Sequence, residues 1–179
     1  MKNFNLFIVL VLGLSAIGCQ TMQVREIHLS HQFDSEKYKA QLKPSGKNTI
    51  KGSALLRQKG GGVQTCAGYE VSLIPVDNYS KERMAALYGN TDKGFLNINS
   101  RPVKFIPENM DYRDHLRSTT CNAQGFFSFD NVQDGEYFVT TTIQWQIPGP
   151  YGTSHFAGGN LFAKVSVSNG ESTEIVLSH

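Results

Sequence analysis

Three places in the chain combine residue types that could do chemistry. His28 and His31, with Asp34 a further turn on, have the spacing that stacks metal ligands on one helical face; on a strand the two imidazoles would point to nearly opposite sides. Asp111-Tyr112-Arg113-Asp114-His115 sets two carboxyls beside an imidazole, the groups of general acid-base catalysis, although a mixed run of this kind is ordinarily a solvated loop. Ser154-His155 joins a hydroxyl to a base, but sequence neighbours need a fold to aim them, and no Gly-x-Ser-x-Gly elbow surrounds this serine. Gly60-Gly61-Gly62 lacks the Lys-Ser/Thr of a phosphate loop and reads as a turn. No catalytic set, metal site or cofactor motif assembles, so the expectation is a protein without enzymatic activity and without a cofactor. The better candidates are for contact. Trp145, Tyr151 and His155 surround the Pro148-Gly149-Pro150 break, where rings offer apolar area with a polar handle suited to sugar or peptide. Trp145 is also in phase with Val139 and Ile143, which favours a place in the core and leaves Tyr151 as the more exposed contact.

The elements that must position these residues are folded ones. The 179 residues suffice for one domain with a tail, and 40% hydrophobic and 18% charged residues supply a core. A formal net charge of +2 without a basic run leaves no footprint for nucleic acid. The chain starts Met1-Lys2-Asn3, continues with an apolar run from Leu6 to Gly18, and then turns polar. That run is too short for a transmembrane helix and fits an export signal over residues 1–18.

Ala16-Ile17-Gly18-Cys19 resembles a bacterial lipobox, with Ala16 in place of the usual Leu. The resemblance implies that Cys19 is lipidated and anchors the protein to a membrane; ordinary signal cleavage, which Ala16 and Gly18 also satisfy, would leave a soluble secreted chain. Gln20 is not Asp, which resembles the outer-membrane sorting signal of Gram-negative lipoproteins. Setting Cys19 aside leaves Cys66 and Cys121, and an even remainder in an exported chain predicts a disulfide between them.

Residues 19–47 read as a polar, lipidated tether that adds at most an edge strand, with the body over residues 48–179. Within it, short alternating segments punctuated by turns predict an all-β sandwich. Strands are expected at Ile50 to Leu56, Tyr69 to Pro75, Gly125 to Phe129 and Tyr137 to Ile147. Ser80 is expected to cap a short helix through Leu87 that Gly89 ends. Along Tyr137 to Ile147, Val139, Thr141, Ile143, Trp145 and Ile147 share one face and Thr140, Thr142, Gln144 and Gln146 the other. Leu161 to Val167 and Ser172 to Leu177 predict a hairpin across Asn169-Gly170.

The run Gly125-Phe126-Phe127-Ser128-Phe129 through Val132, Gly135, Tyr137 and Val139 resembles the signature of carboxypeptidase regulatory-like domains. The resemblance covers roughly residues 48–179, with an insertion at about 78–118. It implies a seven-stranded, transthyretin-like (prealbumin-like) sandwich, and the short helix read from Ser80 onward falls in the insertion, outside the family pattern. It implies an accessory role in binding or scaffolding an envelope protein or a glycan, and a carbohydrate-binding module is the alternative carried with it.

Overall fold

The computed structural model describes residues 23–179. The expected export signal over residues 1–18 and the expected lipidation site, Cys19, lie outside the described residues. Among the described residues there are eleven strands, not seven, and two α-helices rather than one. They are β1 (Arg25–His28), α1 (Ser35–Leu42), β2 (Asn48–Arg57), β3 (Val63–Thr65), β4 (Glu70–Pro75), α2 (Asn78–Tyr88), β5 (Lys93–Asn97), β6 (Val103–Ile106), β7 (Arg117–Thr120), β8 (Phe126–Val132), β9 (Gly135–Pro148), β10 (Ser154–Val167) and β11 (Ser172–Ser178). No helix among them is long and apolar enough to cross a membrane.

Two sheets face each other. One has the order β5-β10-β9-β4-β7; in the other, β2 is flanked by β11 on one side and by β8 and β3 on the other. The strand period of two puts Val71, Leu73, Tyr137, Val139, Ile143, Leu161 and Val165 on the inner face of the five-stranded sheet, and all are buried. Ile50, Ala54, Phe127, Phe129 and Leu177 answer from the other sheet. Gly52 is required where Phe127 crosses β2, because a Cβ there would lie 2.6 Å from the Phe127 ring. The inward alternation expected for Phe127, Phe129, Tyr137 and Val139 is therefore what builds this core.

The five-stranded sheet is covered on its outer face as well, at one end. Ile74, Phe138 and Phe162 point outward and are buried beneath α2, where Tyr88 packs against Phe162 at 4.4 Å between ring centroids. The helix starts earlier than expected: Asp77, not Ser80, is its N-cap, and Ser80 completes a reciprocal capping box. Gly89 ends it in the left-handed conformation, as expected.

Residues 25–42 are not a tether. Arg25–His28 pairs in parallel with β6, and α1 buries Tyr38 completely, with Leu42 one turn on. Asp34 caps α1 by accepting from Lys37 N at 3.0 Å, which is its role instead of metal binding. Between β1 and α1, Glu82 of α2 clamps the chain. Its carboxylate accepts from Ser30 N at 2.8 and 3.0 Å and from His31 N at 3.2 Å, with His31 Nδ1 3.1 Å away. These donors, Ser30 foremost, hold the Glu82 carboxyl below the ordinary glutamate range. A depressed folded value means that the stabilisation is complete above the unfolded value and is lost as pH falls through the folded one. Glu82→Gln is therefore expected to be less stable than wild type at neutral pH, with the gap closing in acid. Urea unfolding across a pH series measures it, and a gap independent of pH contradicts it.

Asn169-Gly170 does not make a hairpin. β10 belongs to the five-stranded sheet, whereas β11 crosses to the other and runs parallel to β2, Ser172 opposite Thr49. Both residues take positive φ, as a tight turn demands, but Asn48 redirects the chain. Its buried side chain accepts from Gly170 N at 2.8 Å and Glu171 N at 2.9 Å, and donates to Val132 O at 3.0 Å and Asp134 Oδ1 at 2.8 Å. The expected Cys66–Cys121 disulfide is present, with the Cα atoms 5.7 Å apart, and it joins the approach to β4 with the exit of β7.

Candidate functional site

The residues singled out for chemistry do not converge. Among the described residues no group of three His, Cys, Asp or Glu stands close enough to hold a metal ion; His31 faces Glu82 instead. Asp111 to His115 lies in a 3₁₀ turn, Met110–His115, whose charged side chains Asp111, Arg113 and Asp114 are solvated as expected, while Tyr112 is buried and His115 Nδ1 meets Asp111 O at 2.7 Å. Ser154 and His155 are successive residues of β10, so their side chains leave on opposite faces. The Gly- and Pro-rich loop expected from Pro148 to Gly159 is mostly strand. Gly149 N donates to Thr153 O at 2.8 Å, and Ser154 is already paired with Pro148. Tyr151 stands at that tip, fully exposed, His155 is exposed beside it, and Trp145 is half-buried against the core.

What the fold does bring together is the outer face of the five-stranded sheet. Register aligns Thr120, Glu70, Thr142 and Asn160 across β7, β4, β9 and β10 in one row, and Ser118, Ser72 and Thr140 in the next. Ser72 and Ser118 hydroxyls both donate to Glu70 Oε1, at 3.2 and 3.1 Å, and Thr142 donates to Asn160 Oδ1. Of these, Glu70, Ser72, Thr140, Thr142 and Asn160 floor a cleft of about 400 Å³ that is walled by α2 and the 3₁₀ turn through Arg83, Tyr88, Tyr112 and Arg113 and is also lined by Tyr69.

The charge in the wall is caged. The Arg83 guanidinium lies 3.9 Å from the Phe105 ring centroid and 4.6 Å from that of Tyr112, and donates to Tyr79 Oη at 3.0 Å and Glu108 Oε1 at 3.1 Å. Phe33 and Tyr38 extend the cluster edge-on from α1 and the turn before it. Burial pushes the Tyr88 phenol up to about 12, and raises those of Tyr112 and Tyr79 as well. These hydroxyls stay protonated, so the cleft offers neutral phenols, the exposed Arg113 guanidinium and one carboxylate, Glu70, while the Arg83 charge is held by Glu108.

This fold has a solved counterpart. The crystal structure of a "putative carbohydrate binding protein" from Pseudomonas aeruginosa matches with a TM-score of 0.64, over 83% of this chain and 99% of its own, at 22% sequence identity. No family model and no curated protein matches the chain. At that identity the likeness is one of fold.

The polar face of β9 was legible as Thr140 and Thr142 facing away from Val139 and Ile143. Glu70, Ser72 and Asn160 were missed as site residues, though each alternates with buried neighbours on its strand. What the alternation cannot say is which part of a polar face ends up beneath a helix inserted elsewhere. Arg83, Tyr112 and Arg113 come from that insertion and carry no strand-like signal at all.

Proposed function

We propose that the protein is a non-catalytic, carbohydrate-binding module of the bacterial cell envelope, held at the outer membrane through acyl chains on Cys19. The observation that carries this reading is the ordered row of Glu70, Thr142 and Asn160, beside Ser72 and Thr140 in a cleft with tyrosine walls. Saccharides present paired hydroxyls and apolar ring faces, and carboxylate, amide and hydroxyl groups next to aromatic rings complement both. Glu70 is the single carboxylate among the residues lining the cleft. A glycoside hydrolase ordinarily needs two, which favours binding over turnover. The description of the Pseudomonas aeruginosa protein points to the same class of ligand.

Within the two sheets, the Gly125 to Val139 motif supports a prealbumin-like core of carboxypeptidase regulatory type, to which the 78–118 insertion adds the cleft wall. Binding of another envelope protein is a second reading. It is favoured by the uncovered outer face of the other sheet, where Phe126 and Val176 stand exposed on either side of Ser53.

The cleft is tested by glycan-array screening followed by calorimetry with the saccharide retained. Glu70→Gln combined with Thr142→Val is expected to weaken that binding about tenfold or more, as the loss of charge-assisted hydrogen bonds implies, while leaving thermal unfolding close to wild type. Retention equal to wild type by the folded variant removes the cleft from consideration.

A further inference from the structure

The central hairpin runs past its neighbours. β4 is paired with β9 only as far as Val71 opposite Thr141, and β5 with β10 only as far as Asn97 opposite Gly159. β9 and β10 stay paired out to Pro148 opposite Ser154, so residues 144–158 form a two-stranded ribbon with no further strand on either side. At about 3.3 Å per residue its tip stands on the order of 15 Å beyond the sheet.

The ribbon is unusual in charge. From Tyr137 to Ala163, 27 residues in succession contain no Asp, Glu, Lys or Arg, in a chain that is 18% charged. Its tip carries Tyr151, fully exposed, and Phe156, 46% exposed, with Pro148 and Pro150 at the turn and Ile147 half-buried behind them. An unpaired, uncharged strand edge in water is a hazard that proteins usually blunt with charge. Here the charge has been left out.

The start of the described chain lies at the same end of the molecule. Ile98 N donates to Gly158 O at 2.9 Å and Asn99 Nδ2 to Phe156 O at 3.2 Å, so the exit of β5 runs along the ribbon's base. Three residues after Asn99, Pro102 O accepts from Arg25 N at 2.9 Å. Val24 is then five residues from Cys19, a span of at most about 18 Å even fully extended.

We propose that the ribbon tip, Tyr151 with Phe156 and Ile147, dips into the headgroup region of the same bilayer leaflet that holds the Cys19 acyl chains. This rests on the lipid anchor in the reading above. Aromatic residues settle at the membrane interface because one part of the ring is apolar and another polar, and a ribbon without charged side chains loses no ionic solvation there. Between Gln144 and Phe156 no further strand pairs with the outer edges of the ribbon, which limits it to the interface, where water still reaches the backbone. Arg101, exposed between Asn99 and Pro102 and without a carboxylate partner among the described residues, faces anionic headgroups at that end. Acyl anchor and ribbon together fix the orientation of the body on the membrane.

The chain has one tryptophan, Trp145, which allows a direct test. Trp145→Phe with Tyr151→Trp moves the indole to the tip in the full-length lipoprotein, which is then incorporated into phosphatidylethanolamine/phosphatidylglycerol vesicles. Bromines placed near the headgroups are expected to quench most of the tip emission, and adding Phe156→Asp to reduce that quenching. A tip tryptophan left unquenched in protein that floats with the vesicles overturns the proposal. So does protection of the tip by a soluble glycan with no effect of lipid, which would make it a saccharide contact. Intact mass without acyl chains makes the anchor reading fail separately. The Cys19→Ser chain mixed with the same vesicles then decides for the ribbon alone, quenching supporting it and its absence overturning it.

Discussion

Asn48→Ala is expected to lower the unfolding free energy by about 3–5 kcal/mol, since the change strands several buried polar groups at about 1–3 kcal/mol each. Asn48 is wholly buried, and its amide is fully used: two backbone N–H groups of the β10–β11 link on its oxygen, Val132 O and the Asp134 carboxylate on its nitrogen. Alanine leaves Gly170 N and Glu171 N without their acceptor at the point where the chain changes sheets. Asp in its place restores the acceptor but sets a second carboxylate against Asp134. It should recover little, and its deficit should shrink as the solution is acidified. Guanidinium denaturation of both variants reads these effects, and a loss under about 1 kcal/mol for Asn48→Ala would show that water substitutes for the amide.

The second large effect concerns the disulfide. Cys66 and Cys121 are 55 residues apart, and the loop they close contains α2, β5, β6 and the 3₁₀ turn, which is to say the whole wall of the cleft. On the loop-entropy account, removing the bond by Cys66→Ala with Cys121→Ala costs about 4 kcal/mol. Both cysteines are buried, so a reductant added to the native protein should act only through opening of the structure, and slowly. Backbone hydrogen bonds already tie the two ends, Cys121 N to Tyr69 O at 3.0 Å and Gly68 N to Cys121 O at 3.1 Å. The double variant should therefore fold, with a lower denaturation midpoint and a more rapidly exchanging insertion by amide hydrogen exchange. An unchanged midpoint would place the stability of the insertion in its aromatic cluster alone.

Both predictions concern features that differ in how far the sequence discloses them. The disulfide follows from counting cysteines in a chain whose start reads as an export signal. The strands at 50–56, 69–75, 125–129 and 137–147 follow from alternation that one buried face imposes. Asn169-Gly170 misleads because its left-handed pair fixes a sharp change of direction but not the destination; that is decided by Asn48, more than 100 residues away. α1 is hidden for a different reason. Ser35–Leu42 carries only Tyr38 and Leu42 as large apolar residues, one turn apart, and the Asp34 cap was the signal available. The cleft is the least legible feature, since its floor comes from strand residues that look merely solvent-facing and its wall from an insertion whose packing is tertiary. Tyr151 and His155, chosen from composition, do stand at an exposed tip, but they are far along the ribbon from the rows of Glu70 and Thr140.

The parallel pairing of β2 with β11 has a consequence for how the molecule comes into being. Thr49 meets Ser172, and the pairing continues to Leu55 with Ser178. As the chain is extruded from its N-terminal end, β2 is delivered early and stands with one flank open until more than a hundred further residues have emerged. Contacts of such long range make folding slow and leave a sticky strand exposed meanwhile. The hairpin of β9 and β10 can zip locally as it arrives, but the opposing sheet is sealed last. Assembly is thus coupled to completion of synthesis, and the half-made sheet stays open along one flank of β2 until the last strand arrives.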